Sequence, residues 1–279
     1  MRSVFATFLI LLLLTSGCKD EEEIVPVPPP TPDAQTEPPP PDVPEEEDEP
    51  AEEVNSDVFG YGNFKNIPYR ILLPRKYDSG RKYPLHIFLH GMGERGNDNE
   101  IQLGIGSKYY LADSIREKYP AIVVYPQCPA NKVWFDDDIT IALKELTDAL
   151  QKEYGVDAKH ISIGGFSMGA FGTFEVVARN PGLFEAAVAI SGDGDEERVA
   201  SMADCRWQIF AAEKDDVIPI GRTKEIVEAL IEAGATVSFT TYPDVTHDST
   251  WVHALAEPGL FQWLFANKTD DGSAQNQSE

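Results

Sequence analysis

Ser167 stands in the stretch Gly164-Gly165-Phe166-Ser167-Met168-Gly169-Ala170, between a β-branched apolar run (residues 160–166) and a helix-like run that starts at Ala170. Glycine costs backbone entropy and serine is a poor helix former, so the junction needs a reason other than local stability. A serine on a sharp strand-to-helix turn presents its oxygen above the sheet edge, and the residues two away on either side must be small for the turn to close. Gly165 and Gly169 meet that demand. Taken alone the pattern says little, because a glycine turn that packs a helix tightly on a sheet reads the same way.

A serine hydroxyl becomes a useful nucleophile when a base takes its proton, and that base is usually a histidine held by a carboxylate. Of the five histidines, only His247 and His253 come late enough for the chain order serine, acid, histidine. His247 falls in a loop after the last expected strand, where a ring can swing over the sheet edge; His253 lies one turn into a helix-like run. The acid belongs in the loop after the preceding strand, where "FAAEKDDVIP" offers Glu213, Asp215 and Asp216. Asp215 is the first choice and Asp216 the alternative. A tetrahedral intermediate also needs two backbone amides aimed at its oxygen. Met168, after the serine, supplies one, and Met92 in "FLHGMGERGNDN" has the position for the other. His90 in that loop reads as a structural hydrogen-bonder.

The elements that must hold these residues alternate. Strands are expected in "PYRILL", "PLHIFLH", "AIVVYPQ", "HISIGGF", "EAAVAIS", "RWQIFAAE" and "ATVSFTTY". Helix-like runs lie between them, namely "SKYYLADSIREKY", "ITIALKELTDALQKEYG", "AFGTFEVVARNP" and "GRTKEIVEALIEAG", with "DSTWVHALAE" and "GLFQWLFANK" at the end. Nearly unbroken apolar runs suit strands buried on both faces, and this alternation argues for a three-layer α/β domain with a mostly parallel sheet. Right-handed crossovers then gather the strand-to-helix loops on one edge.

The domain is expected over residues 58–266, with a polar tail at 267–279. Residues 1–17, one arginine followed by "VFATFLILLLL" and "TSG", read as a secretory signal, too short for a comfortable membrane span. "LTSGC" resembles a lipobox, which implies that Cys18 becomes a lipidated N-terminus. Residues 18–57 are rich in Pro, Glu and Asp, with 15 acidic residues against one basic, and read as a disordered acidic tether. Of the net charge of −24, this leaves −11 on residues 58–279, so the acidity belongs mostly to the tether and argues for no cation substrate. The start "CKDEEE" resembles the acidic export signals of surface lipoproteins, and an outer-membrane or cell-surface lipoprotein of a Gram-negative bacterium is expected. Cys128 and Cys205 fall at opposite ends of parallel strands, about 15 Å or more apart, beyond the roughly 7 Å a disulfide spans. The histidines lack paired-ligand spacing, so neither a metal nor another cofactor is expected, and no nucleic-acid partner is expected either.

With "LHGMGERGNDN", "YPQCPANKVWFDDD", "GGFSMGA", "EKDDVIP" and "HDSTW" together, residues 65–266 resemble the α/β-hydrolase superfamily. More narrowly they resemble its lipoprotein esterase and predicted peptidase group, allied to phospholipase/carboxylesterases and feruloyl or acetylxylan esterases. The resemblance implies Asp215 as the acid of a Ser167–His247–Asp215 triad, and it sets Trp134 near the substrate cleft, with anchoring of its loop as the alternative role. Only 24 residues separate Ser191 from Asp215, which leaves no room for a large lid domain. An open cleft suits soluble or polymer-attached esters, so a serine carboxylesterase acting on small-molecule or polysaccharide-linked esters, acetyl or feruloyl among them, is expected. A serine peptidase and a non-catalytic binding module on the same scaffold are the alternatives.

Overall fold

Apolar runs with no polar alternation can be satisfied only by strands covered on both faces, and the fold is built around such strands. The computed structural model describes residues 56–266. The expected signal segment, Cys18, nearly all of the tether and the tail from 267 onward lie outside them. Eight strands form one sheet: β1 (Gly60–Phe64), β2 (Ile67–Leu72), β3 (Tyr83–Leu89), β4 (Ile122–Pro126), β5 (Val156–Phe166), β6 (Ala186–Ile190), β7 (Arg206–Ala212) and β8 (Val237–Tyr242). Their spatial order is β1-β2-β4-β3-β5-β6-β7-β8; β2 runs antiparallel to both of its neighbours, β1 and β4, and all other pairs are parallel. Every residue of β3, β4 and β6 is buried.

Adjacent strand residues feed different cores, because side chains alternate across a strand. Ile87, Val124 and Ile163 pack under α3 (Asp137–Glu153), α4 (Met168–Arg179) and α5 (Ile220–Glu232). Phe88, Tyr125 and Phe210 pack on the other face under α1 (Ser107–Leu111), α6 (Thr250–Leu255) and α7 (Leu260–Phe265). The fold is thus a three-layer α/β-hydrolase sandwich. Between Ser191 and Asp215 the chain spends its length on a 3-10 helix (Glu196–Ser201) and β7, with no lid domain.

All seven expected strands form, and two features differ from expectation. β1 is an extra edge strand whose residues, Gly-Tyr-Gly-Asn-Phe, are mostly exposed and carry no hydrophobic alternation; pairing with β2 supplies its backbone partners. The run 107–119 breaks at Ala112, which has extended ψ (128°), into α1 and α2 (Asp113–Lys118). The break lets Tyr110 enter the core while Arg116 reaches back to the Leu73 carbonyl.

Candidate active site

The strand order reverses at β3: the chain moves from β3 out to β4, then returns to β5 on the other side. Loops leaving β3 and β5 therefore part at the carboxyl ends of two adjacent strands, where an α/β sheet opens a crevice. Leu89 pairs with Gly165 and Phe166 with Ile190, so the loops after β3, β5 and β6 start side by side. The Ser191 N–H donates to Phe210 O and the Glu213 N–H to Tyr242 O, which brings the loops after β7 and β8 to the same edge.

Ser167 occupies the turn between β5 and α4 with φ 54° and ψ −119°, a region that non-glycine residues rarely enter. The turn is held by the Ser167 N–H, which donates to Ile190 O at 2.9 Å. A Cβ at Gly165 would strike the Gly169 carbonyl, and one at Gly169 would strike the Leu89 carbonyl. Both glycines are thus required by backbone approach, which accounts for the spacing seen in the sequence.

His247 opens a 3-10 helix (His247–Ser249) after β8 and is buried. The Ser167 hydroxyl donates to its Nε2 at 2.9 Å, and its Nδ1–H donates to Asp215 Oδ2 at 2.8 Å. The Asp215 side chain is 2% exposed, and its Oδ1 also accepts the N–H groups of Val217 (3.0 Å) and Ile218 (2.7 Å). These bonds fix the carboxylate before the histidine meets it, and they distinguish Asp215 from the exposed Asp216. Phe166 lies against the imidazole, with ring centroids 5.1 Å apart. Nothing in the sequence singled Phe166 out, because its position in Gly-x-Ser-x-Gly accepts many residues.

The other histidines are engaged elsewhere. His253 is exposed beside Tyr242, and His160 bonds Asp157 at the surface. His90 donates from Nδ1 to Gly91 O (2.6 Å) and accepts the Cys128 N–H on Nε2 (3.0 Å), and burial lowers its pKa to about 4. It is a neutral strut between the loop after β3 and the segment after β4. Met168 begins α4 and Met92 begins a 3-10 turn (Met92–Glu94), so both N–H groups are helix-start donors that their own helices leave unpaired. Glu94 in the same turn has its carboxyl pKa raised, first by burial and also by nearby Asp248.

Trp134 anchors the loop after β3 from below. It has no solvent exposure; its indole N–H donates to the His90 carbonyl at 2.9 Å and its ring meets the His90 ring at 5.0 Å. It lies beneath the loop after β3, where the missing side chain of Gly172 in α4 leaves room for Trp134 and Leu89. The aromatic residue that reaches the surface is its neighbour Phe135. Phe135 and Phe171 (6.1 Å apart), with Phe174, Met202, Asp193 and Arg222, line a cavity of about 340 Å³ that starts one helical turn along α4 from Ser167. Arg222 pairs there with the buried Asp193 at 2.5 Å. Cys128 and Cys205 are buried and free, and burial pushes the Cys128 thiol up to about 12, so neither is a competing nucleophile. Among the described residues no cluster of His, Cys, Asp and Glu could hold a metal ion.

Residues 65–209 match the model of the family described as "Putative esterase". Among solved structures, a thermostable esterase is similar at 32% identity and a TM-score of 0.71, over 75% of this chain and 63% of that one. A mutant feruloyl esterase module from Clostridium thermocellum, complexed with sinapinate, is similar at 18% identity and a TM-score of 0.59, over 78% and 90% of the two chains. An acylaminoacyl peptidase from Pyrococcus horikoshii is similar at 16% identity and a TM-score of 0.58, over 77% and 43%. The last two likenesses are of fold alone. No curated protein matches the sequence.

Proposed function

Because the chain belongs to the "Putative esterase" family, within the α/β-hydrolase superfamily, we propose that it is a serine carboxylesterase working through an acyl-enzyme. The observation that carries the reading is the hydrogen-bonded chain from Ser167 Oγ to His247 Nε2 and from His247 Nδ1 to Asp215. In this reading Ser167 attacks the ester carbonyl while His247 takes its proton, and Asp215 keeps the imidazole in the tautomer that can accept it. The N–H groups of Met92 and Met168 receive the oxyanion, and His247 returns the proton to the leaving alcohol. Water then enters by the same route to release the acid.

For the substrate we propose esters carried on polysaccharides, acetyl or feruloyl groups in particular. Three features support this: the lack of a lid domain between Ser191 and Asp215, the cavity with aromatic walls that starts one helical turn along α4 from Ser167, and the fold shared with a feruloyl esterase module. The proposal includes lipidation at Cys18 and display at the outer membrane or cell surface, and it rests there on the sequence of residues 1–57.

A screen of the purified protein against short and long nitrophenyl esters, acetylated xylan, feruloylated sugars and peptide amides tests the reading. Ester turnover that disappears in Ser167→Ala is the expected result. Amide turnover above ester turnover would make the protein a peptidase, and binding without turnover would make it a carbohydrate-binding module. Cys18→Ala should move the protein from the membrane to the soluble fraction; unchanged membrane recovery, with no lipid on the wild-type cysteine, would remove the anchor.

A further inference from the structure

A second cavity, of about 390 Å³, lies at the other end of the sheet and plays no part in the proposed chemistry. The end of β2 pairs with the start of β4, Leu72 with Val123, so this cavity sits at the amino ends of the parallel strands. Seven-residue β3 at about 3.3 Å per residue puts it roughly 20 Å from the triad edge.

Its lining includes Arg75, Lys76, Arg81 and Arg116, with Glu117 as the single acid. This collection of cations stands on a domain whose net charge is strongly negative, so it is a local feature and not an overflow of general basicity. The sequence between β2 and β3 reads Pro-Arg-Lys-Tyr-Asp-Ser-Gly-Arg-Lys-Tyr, two copies of Arg-Lys-Tyr. Tyr77 and Tyr83 pack on each other with ring centroids 5.6 Å apart, and the Tyr83 hydroxyl accepts the Asp78 N–H at 3.0 Å. The turn is thereby pinned from inside while its cations stay at the rim.

Arg75 is already paired, with Asp113 and with Glu117 at 3.6 Å. No carboxylate of the described residues lies within 4.0 Å of the charged nitrogens of Lys76, Arg81 or Arg116. Arg116 donates from Nη2 to Leu73 O at 3.0 Å, yet its Nε is buried and bonds to nothing. A buried cationic donor without a partner costs folding free energy, and an anion placed beside it offsets that cost. The Arg116 pKa is lowered, first by burial and then by Arg75, with Asp113 acting in the opposite direction.

We propose that this cleft binds a phosphate ester anion. A guanidinium fork and further cations lining one cavity suit the several oxygens of a phosphate group, and the volume exceeds that of bare phosphate, leaving room for the group it is attached to. The phosphate can come from a soluble ester or from a phospholipid headgroup. The inference is independent of the esterase reading.

The test uses the full chain carrying Cys18→Ala, so that no acyl anchor contributes. Calorimetric titration with inorganic phosphate and with glycerol 3-phosphate forms one arm. Cosedimentation with phosphatidylglycerol vesicles, against phosphatidylcholine vesicles, forms the other. Binding in either arm that weakens with salt and falls at least about 10-fold in Lys76→Gln and Arg81→Gln is the expected result. Binding of the free phosphates assigns a soluble ester, and binding of the anionic vesicles alone assigns a headgroup. Both variants keep Arg116 and its bond to Leu73, and their melting curves and turnover of a nitrophenyl ester should match wild type. Absence of binding in both arms, or binding untouched by the two substitutions, would overturn the proposal.

Discussion

Two serine–histidine pairs lie five residues apart, one within β5 and one on the turn that follows it, and their hydrogen bonds have the same length. Ser162 Oγ lies 2.9 Å from His86 Nδ1, and Ser167 Oγ lies 2.9 Å from His247 Nε2. The direction of the bonds separates them. Ser162 donates its hydroxyl to the Leu85 carbonyl, so it accepts from His86 Nδ1–H, while His86 Nε2 accepts from the Tyr110 hydroxyl. His86 thus donates to its serine. At the other pair Asp215 takes the Nδ1–H of His247, which leaves Nε2 free to accept from Ser167. Both rings carry their proton on Nδ1; what differs is the nitrogen turned toward the serine, and only the ring that presents its bare Nε2 is a base toward it. Access follows the same division: Ser162 is held inside a strand with His86 wholly buried, whereas Ser167 is lifted out on a strained turn.

The sharpest way to break this comparison is to remove each serine. Ser167→Ala should lower kcat on a soluble ester by about 10⁴-fold or more. Ser162→Ala should leave kcat within about twofold and should instead lower unfolding stability by about 1–3 kcal/mol, since it orphans a buried imidazole N–H. Equal losses of kcat from the two would erase the distinction. Next in size, Asp215→Ala should cost about 10³ to 10⁴-fold in kcat, because His247 then meets the serine only when it happens to be oriented correctly. Asp216→Ala should cost less than about 10-fold, its carboxylate being exposed and outside the chain of bonds.

Acid should act on the buried pair through stability. Burial holds His86 at about 3, below the ordinary imidazole value of about 6.5, so the folded state stays neutral while the unfolded chain takes up a proton. Stability from this residue is complete above about pH 6.5 and is lost as pH falls toward 3, by at most about 1.4 kcal/mol per pH unit. His90, at about 4, acts in the same direction. Urea unfolding at pH 7 and pH 4.5 measures the loss, and a His86→Gln variant should show a shallower dependence; an equal slope would mean that His86 is charged or exposed. The smallest effect is expected from Tyr110→Phe, about 1 kcal/mol of stability from the lost bond to His86, with kcat unchanged.

Much of the site could be read from residue order because its parts are local. The glycines two residues to either side of Ser167 answer a backbone constraint that any chain making this turn must meet. The strands were legible because residues buried on both faces leave continuous apolar runs. β1 was not, since it gains its partners from β2 and buries little. The contacts of Trp134 were not legible for a related reason: a tryptophan that faces a cleft and one that anchors its loop look alike in sequence, and the His90 carbonyl and Gly172 that it meets come from distant segments.

The amino-acid order by itself determined the α/β layering, the serine turn, and the short list of histidines and acids that could serve it. Hydrophobic periodicity, backbone sterics and chain order all act over a few residues or along the chain, so they survive without coordinates. Only the tertiary structure decided which of the two serines, Ser162 in β5 or Ser167 just after it, has a histidine that accepts its proton, and which of two adjacent aspartates orients that histidine. Those choices depend on hydrogen-bond direction and burial among groups 32 to 80 residues apart, and no local pattern carries such information.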